Sequence, residues 1–319
     1  METFLSSALG LAALLQTAAP VPPDDSLTGL RARVVEDSTD GRAWLELGRA
    51  LARWSATYHR HAHGAHGDTA WARAVLDSAE ESFARAVRLL PGTRAADSAA
   101  VHRVSARAER ALLVWETRGV EAVPDAWGAE GAADGARLPP VLEELGENLL
   151  RGCPRGGVLV TAGELDGDAA GYMRFVRGLR PDLLVIPLAA WRGDSVLRGR
   201  VARELKLLRP GRSAGEAALL AVLVERRTLC VSVAFDRPPA IRRGLRWDTR
   251  PLLWVAGPRV REDRVPPRDF VFAAARLATD EHHTWVGPVM ALYRRAVRET
   301  PALCEALVVY RLREEVGCR

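Results

Sequence analysis

Two short apolar runs with a helical segment between them set the first limit on the fold. Residues 158–161 read Val-Leu-Val-Thr, and residues 183–188 are apolar throughout. Runs of this length and composition are typical of strands buried on both faces. The sequence predicts a helix over 168–177 and a turn at 180–182. A βαβ unit follows, in which the two strands run parallel with a right-handed crossover.

Similar patterns extend this unit into an α/β domain covering residues 140–319. An amphipathic helix is predicted before the βαβ unit, and further helices and two strands are predicted after it, as in a small Rossmann-like sheet that ends in C-terminal helices. The predicted helices cover 141–151, 194–208, 214–226, 270–277, 286–298 and 302–315. The further predicted strands are 228–235 and 252–255.

The first half of the chain has helical periodicity instead. One set of residues with helical spacing comprises Trp44, Leu47, Gly48 and Leu51, and a second comprises Ala79, Phe83, Ala86 and Pro91. The two sets resemble the two halves of a tetratricopeptide repeat, which implies a helical hairpin. Small Gly48 and Ala79 would let the helices approach closely, and Trp44 and Phe83 would fill the space between them. The predicted helical region, which includes a helix over 95–116, covers 27–118, and a linker rich in Gly, Ala, Asp and Pro covers 119–139.

The two halves of this repeat-like pattern are separated by an insertion, residues 59–71, that contains histidines. On a continued helix, His59, His63 and His66 would fall on one face, where three imidazoles can hold a metal ion. The alternative is a solvated polar loop, because Gly64 and Gly67 are costly in a helix interior. Since no fourth ligand is evident, we predict neither a bound metal nor another cofactor.

Polar side chains follow the two strands of the βαβ unit. Ligands of open α/β sheets bind beyond the carboxyl ends of the strands. The candidate ligand-binding residues there are Thr161, Gly163, Glu164, Asp166, Asp168, Trp191 and Asp194. The acidic ones could bind magnesium or act as acid and base. Alternatively, Asp166 or Asp168 caps the following helix and Asp194 caps the next one. No catalytic residue is predicted.

Residues 149–191 resemble the soluble region that follows the membrane-spanning half of bacterial proteins related to protein O-mannosyltransferases. The residues that carry the resemblance are Pro154, Gly157, Thr161, Gly163, Asp166, Tyr172, Gly178, Arg180, Pro181 and Asp182. Two positions depart from the pattern, because Glu164 replaces an aspartate and Gly167 a threonine. The resemblance implies an extracytoplasmic α/β module. It does not imply transferase activity, which belongs to the membrane half.

The N-terminal residues favour export. An apolar run at 4–15 precedes small residues, so 1–23 is predicted to be a signal peptide and leader. The run is shorter than the roughly 20 residues that span a bilayer, and no transmembrane segment is expected in the mature chain. We therefore predict a periplasmic or otherwise extracytoplasmic protein. Because no Arg or Lys precedes the run, a buried or frayed helix in a cytoplasmic protein is the alternative.

The four cysteines match no metal-binding or redox spacing. Export would permit disulfides, but Cys304 and Cys318 would lie about 21 Å apart on one continuous helix. Their pairing would need a break near Gly317, because a disulfide requires Cα atoms within about 7 Å. Cys230, in a predicted strand, is interpreted as a small buried apolar residue.

Charge does not indicate nucleic-acid binding. The net charge is +5, but acidic residues are interspersed, and the basic cluster Arg242, Arg243 and Arg246 lacks the interleaved aromatic residues that stack on bases. We expect a non-catalytic exported binding or scaffold protein with a protein or glycan partner, in cell-envelope or glycan-related assembly. The main alternative is a small metal- or sugar-phosphate-dependent enzyme that uses the acidic turn after the first strand, residues 161–168. A metal-responsive module built on the histidine insertion is a third option.

Overall fold

The protein is mostly helical with one mixed five-stranded sheet, which confirms the predicted α/β class. It divides into two compact units at Leu113 and Val114, within a long helix. The computed structural model describes residues 25–61, 69–127, 137–206, 216–241 and 245–318. The predicted leader, His63 and His66 lie outside these ranges.

The bounds of the described elements follow. The first four helices of the described residues are α1 Asp25–Glu36, α2 Gly41–His61, α3 Thr69–Leu89 and α4 Arg94–Arg118. The later helices are α5 Val123–Trp127, α6 Pro140–Gly152, α7 Glu164–Phe175, α8 Leu188–Gly193, α9 Ser195–Glu204, α10 Glu216–Arg226, α11 Ala273–Asp280, α12 Val286–Glu299, α13 Cys304–Val309 and α14 Arg313–Val316. Short 3-10 turns occur at Val120–Ala122, Pro267–Asp269 and Pro301–Leu303. The strands are β1 Val158–Thr161, β2 Leu184–Pro187, β3 Leu229–Ser232, β4 Asp248–Arg250 and β5 Leu253–Ala256.

Helices α2 and α3 form the predicted hairpin. Asp40 caps α2, because its side chain accepts two backbone N–H groups of the first turn at 2.9 and 3.0 Å. The ring of Phe83 lies directly on Gly48, where a Cβ atom would come within 2.6 Å of it. Trp44 and Ala79 are buried in the same core. The close approach predicted from the small residues is confirmed, whereas membership of the tetratricopeptide family stays a prediction.

The sheet has the order β2-β1-β3-β5-β4. Strand β1 pairs in parallel with β2 and β3, so the predicted parallel βαβ pair is confirmed. Strand β5 pairs antiparallel with β3 and β4. The sequence did not indicate β4, because this edge strand has only three residues, Asp-Thr-Arg, without an apolar run.

Helices α6 and α7 pack closely at Gly146. A Cβ atom at this position would collide with the carbonyl oxygen of Ala169. The absence of a side chain therefore lets the two helices approach until backbone meets backbone. Pro140 occupies the first turn of α6, where its missing N–H is no loss.

The segment predicted as a linker, 119–139, includes short helices. Val120–Ala122 and α5 lie within it, and 128–136 fall outside the described residues. The indole of Trp127 is buried and meets the ring of Tyr172 edge-on, with ring centroids 6.2 Å apart. The start of this segment thus contributes to the core of the second unit.

The expectation of one continuous helix over 302–315 is wrong. Helix α13 ends in a turn in which Arg311 has a φ of 57°. The N–H groups of Arg311 and Leu312 bond back to the carbonyls of Val308 and Leu307, as in a Schellman motif. This turn reverses the chain and brings Cys304 and Cys318 together as a disulfide with a Cα separation of 5.8 Å.

Candidate functional site

The order of the strands places a topological switch point at the carboxyl ends of β1 and β3. The chain passes from β1 to β2 on one side and later returns to β3 on the other, and ligands of open α/β sheets bind at such reversals. Thr161 ends β1 and Ser232 ends β3, and both are fully buried. The residues predicted to bind a ligand therefore begin at the edge where the topology would place one.

Asp166 is bound to the backbone of its own turn. Its carboxylate accepts the N–H groups of Ala162 and Gly163 at 2.8 and 2.9 Å, and it is 1% exposed. Burial raises the pKa of Asp166, while these two donors and the hydroxyl of Ser232 act in the opposite direction. Asp166 thus holds the turn that starts α7, in line with the capping alternative.

Asp194 has a similar structural task. One of its carboxylate oxygens accepts the N–H groups of Val196 and Leu197 at 2.8 and 2.9 Å, which caps α9. The capping role expected of Asp194 is confirmed. A ligand-binding role for Asp166 or Asp194 stays a prediction.

The remaining candidate ligand-binding residues have different surroundings. Gly163 and Glu164 are exposed, and Asp168 is half-buried and makes contacts of its own. Trp191 is 1% exposed, and neither its Nε1 nor the Oγ1 of Thr161 has a hydrogen-bond partner in the described part of the chain. No group of three or more His, Cys, Asp or Glu side chains within the described ranges is arranged to hold a metal ion.

The histidine insertion contributes little that can be described. His59 lies near the end of α2, and nothing is described of its side chain.

Elsewhere, Arg49 donates its Nε–H to Nε2 of His102 at 3.1 Å. Burial, with the charges of Arg49 and Arg53, lowers the pKa of His102 to about 4. His102 is therefore neutral at physiological pH, and no sequence motif distinguishes it.

A cavity lies at the opposite edge of the sheet. Because β1, β2 and β3 are parallel, their amino ends meet at one edge, and antiparallel β5 ends beside the start of β3. The end of α6, the turns before β1 and β2 and the loop after β5 line this open cavity of about 460 Å³. The lining residues are Glu147, Arg151, Cys153, Arg155, Leu179, Arg180, Asp263, Arg264, Val265, Pro266 and Asp269. This volume is in the usual range of small-ligand sites.

Arg250 fixes the wall of this cavity. The residue is 4% exposed, and its Nη2 donates to the carbonyls of Val260 and Glu262, both at 2.8 Å. Its Nη1 lies 3.3 and 3.4 Å from the carbonyls of Asp263 and Gly152. One guanidinium thus ties the loop after β5 to the end of α6. Burial lowers the pKa of Arg250, against the neighbouring carboxylate of its own strand.

Arg180 fixes a second wall. Its guanidinium binds both carboxylate oxygens of Asp182 at 2.9 Å and donates to the carbonyls of Leu150 and Cys153 at 2.8 and 3.0 Å. The first of these carbonyls belongs to the last turn of α6, so Arg180 satisfies the end of that helix. Hydrogen bonding to Arg180 lowers the pKa of Asp182 to about 2.

A disulfide joins Cys153, in the cavity lining, to Cys230 in β3, with a Cα separation of 5.8 Å. The interpretation of Cys230 as an unbonded apolar residue is therefore wrong, although its burial and its place in a strand are confirmed. The bridge escaped prediction because its two residues lie 77 positions apart, and spacing alone does not pair cysteines at that distance. All four cysteines are paired.

The sequence did not point to this cavity as a site. Of its lining residues, only Arg180 lay in a segment recognised as a turn. The signal available in the sequence was the Arg180-Pro181-Asp182 turn. In the structure, Arg180 has a φ of 51°, which is unusual for a residue that precedes proline. The remaining lining residues come from segments that only the folded chain brings together.

Within the described residues, no helix combines the length and apolarity needed to cross a bilayer. Comparison of the chain with protein-family models, with curated protein sequences and with solved structures found no match.

Proposed function

We propose that this protein is an exported, non-catalytic binding protein whose ligand site is the cavity at the amino edge of the sheet. The cavity itself carries the proposal. It is lined by four arginines and three acidic residues beside apolar Leu179, Val265 and Pro266. Convergent hydrogen-bonding groups in a concave site are typical of ligand recognition.

The walls of the cavity favour binding because they are preorganised. Arg250 and Arg180 hold two of the lining segments through buried or partly buried guanidinium groups, and the Cys153–Cys230 disulfide anchors a third. A site that is rigid before binding loses little conformational entropy when a ligand enters. The geometry therefore supports a stable receptor surface.

Disulfide bonding supports the extracytoplasmic location. Disulfides persist in secreted and periplasmic proteins and are rare in the cytosol, where thiols are kept reduced. Here no cysteine is left unpaired. A protein or a glycan of the cell envelope is the partner that fits this location, in agreement with the resemblance of residues 149–191.

The alternative enzyme, which would use the acidic turn with a metal or a sugar phosphate, has weaker support. Asp166 and Asp194 already accept two backbone N–H groups each, so a ligand there would have to replace bonds that hold α7 and α9. A rise in melting temperature with magnesium or manganese, abolished by Asp168→Asn, would favour this alternative.

The test of the proposed site uses a variant that fills the cavity. Arrays of envelope glycans and of peptides are probed with the wild-type chain and with Val265→Trp, whose indole would occupy the cavity. Val309→Trp, at an exposed position of α13, is the matched control. We expect the wild type and Val309→Trp to bind the same array members and Val265→Trp to lose them. Equal binding by all three proteins would contradict the proposed site.

A further inference from the structure

The four arginines of the cavity differ in their partners. Arg151 binds Glu147 and the carbonyl of Asp269, and Arg180 binds Asp182 and two carbonyls. Three of the four lining arginines have a carboxylate partner, since Arg264 also binds Asp248. The guanidinium of Arg155 has no ion pair or hydrogen bond to any described residue.

The position of Arg155 is nevertheless fixed. Its backbone N–H donates to a carboxylate oxygen of Asp263 at 3.0 Å, which holds the turn before β1 against the loop after β5. Two residues earlier, Cys153 is anchored by its disulfide. The main chain is therefore restrained while the cationic side chain is left without a partner at the cavity.

A second cationic group in the lining has free donors. Arg264 binds Asp248 through Nη2 at 2.7 Å, and its Nε and Nη1 have no hydrogen-bond partner within the described ranges. The carboxylates of the lining are partly compensated, because Glu147 is paired with Arg151 and Asp263 accepts the backbone N–H of Arg155. The hydrogen-bonding groups left without a partner among the lining arginines are thus N–H donors of Arg155 and Arg264.

We propose that the ligand of this cavity carries a carboxylate or phosphate group that binds the guanidinium of Arg155, with Arg264 as a second donor. This inference rests on the proposed function and specifies its ligand. Arginine binds both kinds of acid through paired N–H groups in the plane of its fork, and such charge-assisted bonds are stronger than neutral ones. A neutral ligand would offer no charge-assisted bond to the exposed guanidinium of Arg155.

The experiment measures binding of three probes by calorimetry at low ionic strength. Glucuronate supplies a carboxylate and glucose 1-phosphate a phosphate, and glucose is the neutral counterpart. We expect the wild type to prefer the acids, and Arg155→Gln to weaken the preferred acid about ten- to a hundredfold, with glucose unchanged. Arg155→Lys should fall between. Arg298→Gln, at an exposed position of α12, should match the wild type.

The outcomes separate this inference from the function on which it rests. Two results would overturn the role of Arg155 and leave the site standing. In the first, the wild type binds glucose as tightly as it binds the preferred acid. In the second, Arg155→Gln binds the acids like the wild type. Acids that bind equally well to Val265→Trp bind outside the cavity, which contradicts the proposed site. Failure of both acids to bind at millimolar concentration also overturns the inference. The preferred acid indicates whether the natural ligand is a uronate-type or a phosphorylated compound.

Discussion

The side chain of Glu144, a residue of α6, lies at the start of α11. Its two carboxylate oxygens accept the backbone N–H groups of Ala274 and Ala275 at 2.7 and 3.0 Å. Burial raises the pKa of Glu144 to about 7, although these two donors lower it. Beside it, Asn148 exchanges two hydrogen bonds with the backbone of Val271. One face of α6 therefore fixes the start of the C-terminal helices.

Stability should depend on pH through Glu144. Its pKa is higher in the folded protein than its ordinary value of 4.5, so the folded state binds more protons between these values. The contribution of Glu144 to the free energy of unfolding should be largest below about pH 4.5, fall as the pH rises to about 7 and level off above it, by about 3 kcal/mol in total. Glu144→Gln should flatten this part of the profile, measured by urea unfolding.

The matched control for this profile is Glu305→Gln, because Glu305 is exposed on α13. Its profile should follow that of the wild type. A Glu144→Gln variant that retains the full wild-type slope between pH 5 and 7 would show that another group titrates there.

At the scale of elements, the contact of α6 with α7 depends on Gly146. Gly146→Ala places a methyl group against the carbonyl of Ala169 and should lower the free energy of unfolding by about 1–3 kcal/mol. Gly171→Ala is the control in α7, since its Cβ would lie 3.6 Å from Trp127, an ordinary contact distance. It should be neutral or stabilising by up to about 1 kcal/mol. Equal effects in urea unfolding would refute the close-packing account.

The Cys304–Cys318 bridge should stabilise the C-terminal turn. Cys304→Ser with Cys318→Ser opens a loop of 14 residues and should cost about 3 kcal/mol of unfolding free energy in the chain-entropy model. Peptide mapping without reduction should show Cys304 linked to Cys318 and Cys153 to Cys230. Any other pairing would contradict the fold of the C-terminal helices.

Regular elements could be predicted because their signals are local. Apolar periodicity predicts β1 and β2. The small residues of the α2–α3 hairpin predict the close approach of its helices. The break after α13 could not be predicted, because its left-handed residue is Arg311 rather than glycine. Asp166 was correctly placed after its strand, whereas helix α8 separates Asp194 from β2, and the sequence left open whether either aspartate would bind the start of a helix.

At the scale of the whole molecule, the cavity depends on contacts across long stretches of chain. Arg155 meets Asp263, and Arg250 meets Gly152, although about a hundred residues separate each pair. No local sequence pattern indicates contacts between such distant residues. The cavity at the amino edge of the sheet could therefore not be predicted without the fold. The general rule for α/β sheets indicates the carboxyl edge instead.

Export is the prediction that concerns the entire chain. Cell fractionation should place the protein outside the cytoplasm, and alkylation before reduction should find no free thiol, because all four cysteines are paired. Mass spectrometry would identify the mature N-terminus. A cytosolic protein with reduced cysteines and an intact Met1 would contradict both the location and the disulfides.

A nitrogen-15 NMR titration with glucuronate compares the two edges of the sheet in one spectrum. The largest shift changes should occur at the amides of Arg155, Leu179, Asp263 and Val265, which line the cavity, and they should vanish in Val265→Trp. Shift changes centred instead on Ala162, Gly163 and Asp168, in the acidic turn, would contradict the assignment of the binding site to the amino edge.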